Sequence, residues 1–245
     1  PVATAMVDYF EKWCETDTFY FDDYSMLDHN GASWNWTFPT GTPSSSSARN
    51  PSVVFNGLGQ HLAILEVTDI NSVSDVDSIY VELTGATTND IQEGFENAFP
   101  PAGWQTAATG NLSWGHATTA GGFGTSANSM VADNYNVNGG GTTCDMIAAI
   151  DLSAVTSNWL TFDVAYARWS GAYLDSLEVL VSTDCGITWN TVYFKGDTDL
   201  ATAPDFSSAA FVPSDLEWRT DSIDMTSYLG EDFLSIAFRN HGNWS

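Results

Sequence analysis

The chain has 245 residues, enough for one large domain or two ordinary ones, and 43% of them are hydrophobic, so a core can be buried. Its 31 acidic residues against 6 basic give a net charge of -25, which excludes the basic footprint that nucleic acid or an anionic membrane surface requires. Ten Trp, nine Tyr and 14 Phe stand among many Gly, Ser, Thr, Asn and Asp, a balance that favours short strands joined by turns over helices.

In chain order, Met6 to Cys14 is the nearest thing to a helical pattern. Asp17 to Phe21 alternates into a short strand, and Trp34-Asn35-Trp36-Thr37-Phe38 puts three aromatics on one face. After a Pro/Ser loop, Val53-Val54-Phe55 is a strand closed by the turn pair Asn56-Gly57. His61, Ala63, Leu65 and Val67 share one face of the next strand, as do Ile79, Val81 and Leu83 of the one after. Strands at this spacing predict a small sandwich over 1–85, followed by a polar linker at 86–90. A second unit spans 91–245. Its residues 105–145 suit long loops around short strands, and clean alternation returns at Leu160–Tyr166, Leu177–Val181 and Leu234–Phe238. Asp221 to Leu229 has room for one helical turn.

Three cysteines, at 14, 144 and 185, leave an odd thiol, and Cys144 with Cys185 is a candidate bridge. No apolar run reaches transmembrane length. A zinc peptidase needs His-Glu-x-x-His on one helix face, but none of His29, His61, His116 and His241 stands four residues from another. The hydrolase elbow Gly-x-Ser-x-Gly is absent. Cys185 would need His116 or His241 beside it to act as a nucleophile and reads instead as a turn residue. The expectation is a chain that is not itself an enzyme.

The first unit resembles a PKD domain, on Trp34–Phe38, Arg49-Asn50-Pro51-Ser52-Val53 and the Gly59–Val67 strand, with His61 where that family usually has Tyr. The second resembles the cleaved-adhesin or choice-of-anchor J domain, a MAM-like jelly roll. The resemblance lies in Gly94-Phe95-Glu96, Phe99-Pro100-Pro101-Ala102-Gly103-Trp104, Asp151-Leu152-Ser153, Asp175–Val179 running into Ser182–Trp189, and Glu217-Trp218-Arg219 as a later strand. The family's closing strand would follow Asn240–Ser245; without it, the open edge invites strand addition from another chain. Such pairs of modules occur in type IX-secreted surface proteins and metallopeptidases of the Bacteroidetes. The resemblance therefore implies an all-β chain, a small Ig-like sandwich followed by a larger jelly roll, secreted or on the outer cell surface. Its expected role is adhesion, binding or spacing against an extracellular protein or polysaccharide. The rival readings are the accessory region of a secreted zinc metallopeptidase and a carbohydrate-binding module.

Clustered carboxylates are what a hard cation takes. The resemblance implies a structural Ca²⁺ near the first strand of the jelly roll, with Glu93 and Glu96 as first candidates and Asp175 and Asp133 as second. Flat indoles stack on sugar rings. Trp114 and Trp169, near loops, are the candidate aromatic platform, with Trp104 and Trp244 also near loops, whereas Trp36, Trp189 and Trp218 fall in strand patterns and are expected in the core.

Overall fold

The computed structural model of the protein describes residues 1–245 except 10, 13, 15, 16, 28–31, 87–90, 123, 157, 158, 172, 244 and 245. His29, Trp244 and most of the predicted linker lie outside the described residues. The fold is all-β. Two compact units divide at Ala86 and Thr87.

Unit 1 contains β1 (Ala5–Val7), β2 (Glu11–Lys12), β3 (Thr18–Asp23), β4 (Ala32–Thr37), β5 (Gly41–Thr42), β6 (Ser45–Ser46), β7 (Ser52–Phe55), β8 (Gly59–Asp69) and β9 (Ser74–Leu83). Two sheets, ordered β1-β3-β7-β5 and β2-β9-β8-β4-β6, face each other. Period-2 patterning builds the space between them. In β8 every second residue from His61 to Asp69 is buried, and β3 and β7 supply Phe19, Phe21, Val53 and Phe55 from the opposite layer. Trp36 and Phe38 stack at 5.8 Å beside Phe21. His61 lies on the buried face of β8: the ring is packed against Phe55, with Nδ1 2.7 Å from Thr40 Oγ1 and Nε2 2.7 Å from the Gly57 carbonyl.

Among the described residues of Met6 to Cys14, the helical pattern read there gives strand in place of helix. Ala5 and Val7 are buried while Met6 is exposed, so this stretch alternates, and β1 pairs antiparallel with β3. The amides of Ala3 and Ala5 donate to the Asp75 and Asp77 carboxylates, which fastens the strand across the sandwich.

Unit 2 contains β10 (Gln105–Ala108), β11 (Trp114–Ala117), β12 (Ser129–Ala132), β13 (Thr142–Ile150), β14 (Trp159–Val164), β15 (Ser176–Ser182), β16 (Asn190–Gly196), β17 (Arg219–Asp224) and β18 (Leu234–Gly242), with a one-turn helix α1 (Asp197–Leu200) after β16. One layer is a five-stranded antiparallel sheet, β10-β13-β18-β15-β16. The other is split into two strand pairs, β11-β12 and β14-β17. Met146, Val179, Val181, Leu234, Ile236 and Phe238 of the large sheet pack with Leu160, Phe162 and Ile223 of the β14-β17 pair, and with Trp114 and Met130 of the β11-β12 pair.

One strand reading is corrected here. Glu217 lies in a 3-10 turn, Asp215–Glu217, because the Ser214 hydroxyl and amide both donate to its carboxylate and close the turn; Trp218 follows it, and the strand begins only at Arg219. The single helical turn read within Asp221–Leu229 is present as a 3-10 turn at Thr226–Tyr228, after β17, which runs through Asp224. The Cys144–Cys185 bridge does not form. Cys144 is a free thiol buried near the start of β13, and burial pushes it up to about 12.

Candidate functional site: an open-walled cavity in unit 2

Because its second layer is split, unit 2 holds a cavity of about 1270 Å³ between the strand pairs and the large sheet. The floor is apolar, from Ala148 and Ile150 of β13 to Leu177, Ile236 and Phe238 of β15 and β18. The walls are unusual. Residues 128–136 line the cavity without a break, and so do residues 159–167. A strand that turns a face to a space contributes every second residue; one that contributes all of them turns its edge to it. The cavity is therefore bounded by the free edges of β12 and β14. Their partners β11 and β17 lie on the far sides and contribute little to the lining.

One end of the cavity is polar. Asn134, just past β12, and Asn240 of β18 exchange side-chain amide bonds of 3.0 and 2.9 Å. Asp175 stands beside Asn134 and Tyr166, and its carboxylate accepts the Asn243 amide at 2.9 Å. Burial raises the Asp175 carboxyl above its ordinary range, and burial together with this carboxylate pushes the Tyr166 phenol up. Around the rim, Tyr135 and the exposed Trp169 face each other with ring centroids 5.3 Å apart. Arg168 bonds both Asp197 and Asp205, and the Phe206 amide donates to its carbonyl at 2.7 Å. These bonds hold the apolar segment carrying Phe206 and Phe211 along one side of the cavity.

The β14-β17 wall is pinned to the large sheet by one carboxylate. Asp221 of β17 accepts from Arg219, from Lys195 Nζ at 3.0 Å and from the Tyr193 hydroxyl at 2.7 Å, the last two residues belonging to β16. Burial alone would raise this carboxyl, but the three donors bring it down to about 2.

No family model matches the chain, and no curated protein matches it. Among solved structures, a carbohydrate-binding module of the β-sandwich superfamily is similar at 17% identity, covering 98% of this chain and 90% of its own, with a TM-score of 0.39. An α-L-rhamnosidase from Dictyoglumus thermophilum is similar at 7%, covering 99% of this chain and 25% of its own, at 0.25. The secreted serine protease VesC from Vibrio cholerae is similar at 9%, covering 98% and 46%, at 0.30. At such TM-scores none of them says what this chain binds.

The residues singled out for calcium are held by local partners. Glu93 accepts the Phe95 amide. Glu96 accepts the Ser126 hydroxyl, the Ala127 amide and the Asn128 side chain, stitching the start of unit 2 to a later loop. Asp133 accepts the amides of Tyr135 and Asn136 and the Asn136 side chain. Among the described residues, no three His, Cys, Asp or Glu side chains converge. Trp114 is half-buried, and its indole N–H donates to the carbonyls of Cys144 and Phe238, so it is a strut from β11 to the large sheet that shows one flank to the cavity. Trp36 is fully buried as expected, whereas Trp189 and Trp218 are only half-buried. Of the imidazoles in unit 2, His116 reaches the Phe95 carbonyl and stacks on Phe99, and His241 sits 2.9 Å from Glu178.

The sequence reading missed Asn134, Tyr166, Asn240 and the edges of β12 and β14. The Asp133-Asn134-Tyr135-Asn136 run is the only local signal, a polar cluster holding an aromatic in the middle of a Gly-rich stretch.

Proposed function

We propose that this chain is a non-catalytic binding segment of an exported or cell-surface protein, and that the cavity between β12 and β14 is its binding element. The observation that carries this reading is an apolar cavity of ligand-accommodating volume, open along two strand edges and furnished at one end with Asn134, Tyr166, Asp175 and Asn240. An extracellular setting accords with the acidic composition and with the oxidised, disulfide-bonded state of Cys14 and Cys185. The test is titration with the apolar dye ANS under native conditions. Saturable binding is expected, and Ala148→Phe, which fills the floor, abolishes it while leaving the far-UV circular dichroism unchanged. Absence of saturable binding to the native chain refutes the reading.

The Tyr135–Trp169 pair favours a second reading, a polysaccharide laid along the rim, because an exposed indole beside a phenol offers stacking faces. Binding on a glycan array that Trp169→Ala removes would support it.

A further inference from the structure

We propose that Asn56 is a self-modifying site: in the folded chain its side-chain amide is displaced by the Gly57 backbone nitrogen and ends as isoaspartate, which loosens unit 1. This goes beyond the binding reading and does not rest on it.

The chemistry needs no enzyme and no ligand. The Gly57 nitrogen gives its proton to solvent and attacks the Asn56 side-chain carbonyl carbon. A new C–N bond closes a cyclic imide as the bond to Nδ2 breaks, and Nδ2 takes up a proton and leaves as ammonia. Water then opens the imide at either carbonyl. One opening restores the backbone with an aspartate. The other routes the backbone through the former side chain and lengthens it by a methylene. One water is consumed and one ammonia released, and nothing is oxidised or reduced.

The step needs an uncrowded nitrogen and an amide that is loosely held. Asn56, Gly57 and Leu58 carry the chain from β7 in one sheet to β8 in the other, and all three are exposed. Gly57 has a φ of 83°, and nothing lies within 4 Å of where a Cβ would stand. Asn56 Nδ2 donates to the Thr40 carbonyl at 3.3 Å and to Thr42 Oγ1 at 3.4 Å, both long for such bonds.

The sequence holds two further Asn-Gly pairs, of which Asn30-Gly31 lies outside the described residues. The other, Asn138-Gly139, is built differently. Gly139 is buried, with Leu112 and the Gly242 Cα 3.2 and 3.3 Å from its Cβ position. Its carbonyl accepts the Thr142 amide and hydroxyl, both at 2.8 Å, while Asn138 Oδ1 is occupied by the Gly140 amide. Packing therefore separates two identical dipeptides, leaving Asn56 reactive and Asn138 protected.

The product matters because the link is tied on both sides of the reacting bond. The Asn56 amide donates to the Thr40 carbonyl at 3.1 Å, and the Gly57 carbonyl accepts from His61 Nε2 at 2.7 Å. An added methylene between these ties cannot keep both. The His61 ring is buried against Phe55, so losing its carbonyl leaves a buried donor unpaired.

The test incubates the full chain under native conditions at neutral and mildly alkaline pH and follows each Asn-Gly peptide by mass spectrometry. An isoaspartate-specific methyltransferase identifies the product. Asn56 should show the amide-to-acid mass gain, faster at the higher pH, with isoaspartate as the larger fraction. Asn138 should convert about ten-fold or more slowly in the native chain and at a similar rate to Asn56 in urea. Gly57→Ala should slow the conversion, and Asn56→Ser should abolish it in that peptide. Aged wild type should melt below freshly prepared Asn56→Asp, which carries the charge without the methylene. Retention of the Asn56 amide in the native chain while urea releases it overturns the proposal. So do equal native rates at Asn56 and Asn138, or an aged protein that melts with Asn56→Asp.

Discussion

Replacing Asp221 by Asn tests whether the wall of the cavity is held electrostatically. The carboxyl lies at about 2 in the folded protein instead of 3.8, and its side chain is only 10% exposed. That difference corresponds to about 2 kcal/mol of stability for the ionised form. The folded value is the lower one, so the contribution is complete above about pH 4 and is lost as the pH falls through 2. Asp221→Asn should therefore lower the urea-unfolding free energy of unit 2 by about 2 kcal/mol at pH 7, or its melting temperature by roughly 4–8 °C. The gap between the wild type and the variant should close at pH 2. Tryptophan fluorescence reports the transition, because Trp159 adjoins the same strand pair. A variant as stable as the wild type at pH 7, or a deficit as large at pH 2 as at pH 7, would refute the reasoning.

Other outcomes follow from packing. Trp36→Ala removes a fully buried indole from the unit 1 core and should cost about 3–5 kcal/mol in the unfolding of that unit. A Cβ on Gly122 would sit 2.6 Å from the Trp218 ring, so Gly122→Ala should displace that indole from the cavity side, lowering the melting temperature and red-shifting the fluorescence. The Cys144 thiol, buried and held at about 12, should resist a thiol reagent at pH 8 in the native chain and react once urea unfolds it.

Unit 1 was legible because its strands each bury one face: β8 and β9 alternate so regularly that the sequence shows which residues meet in the core. In unit 2, β14, β15 and β18 were legible by the same alternation. The central strand β13 was not. From Cys144 to Ala149 nearly every residue is buried, the residues are small, and Asp145 interrupts the apolar run. That charge is tolerated only because Arg239 of β18 meets it with two bonds of 2.8 Å, a partner 94 positions away. The polar strand β17 was hidden for a similar reason, its buried Asp221 being answered from β16. The cavity escaped sequence reading altogether, since an open strand edge is a property of which strands fail to meet, and residues from 91 to 240 enclose it.

Native-state hydrogen exchange of the unliganded chain tests the central claim most directly. Amides of β13, β15 and β18 should be strongly protected, while the cavity-facing amides of β12 and β14 exchange close to the rate of an unstructured chain. Protection at 129–132 and 159–164 as strong and as continuous as in β18 would mean that those edges are already paired, and would contradict the account.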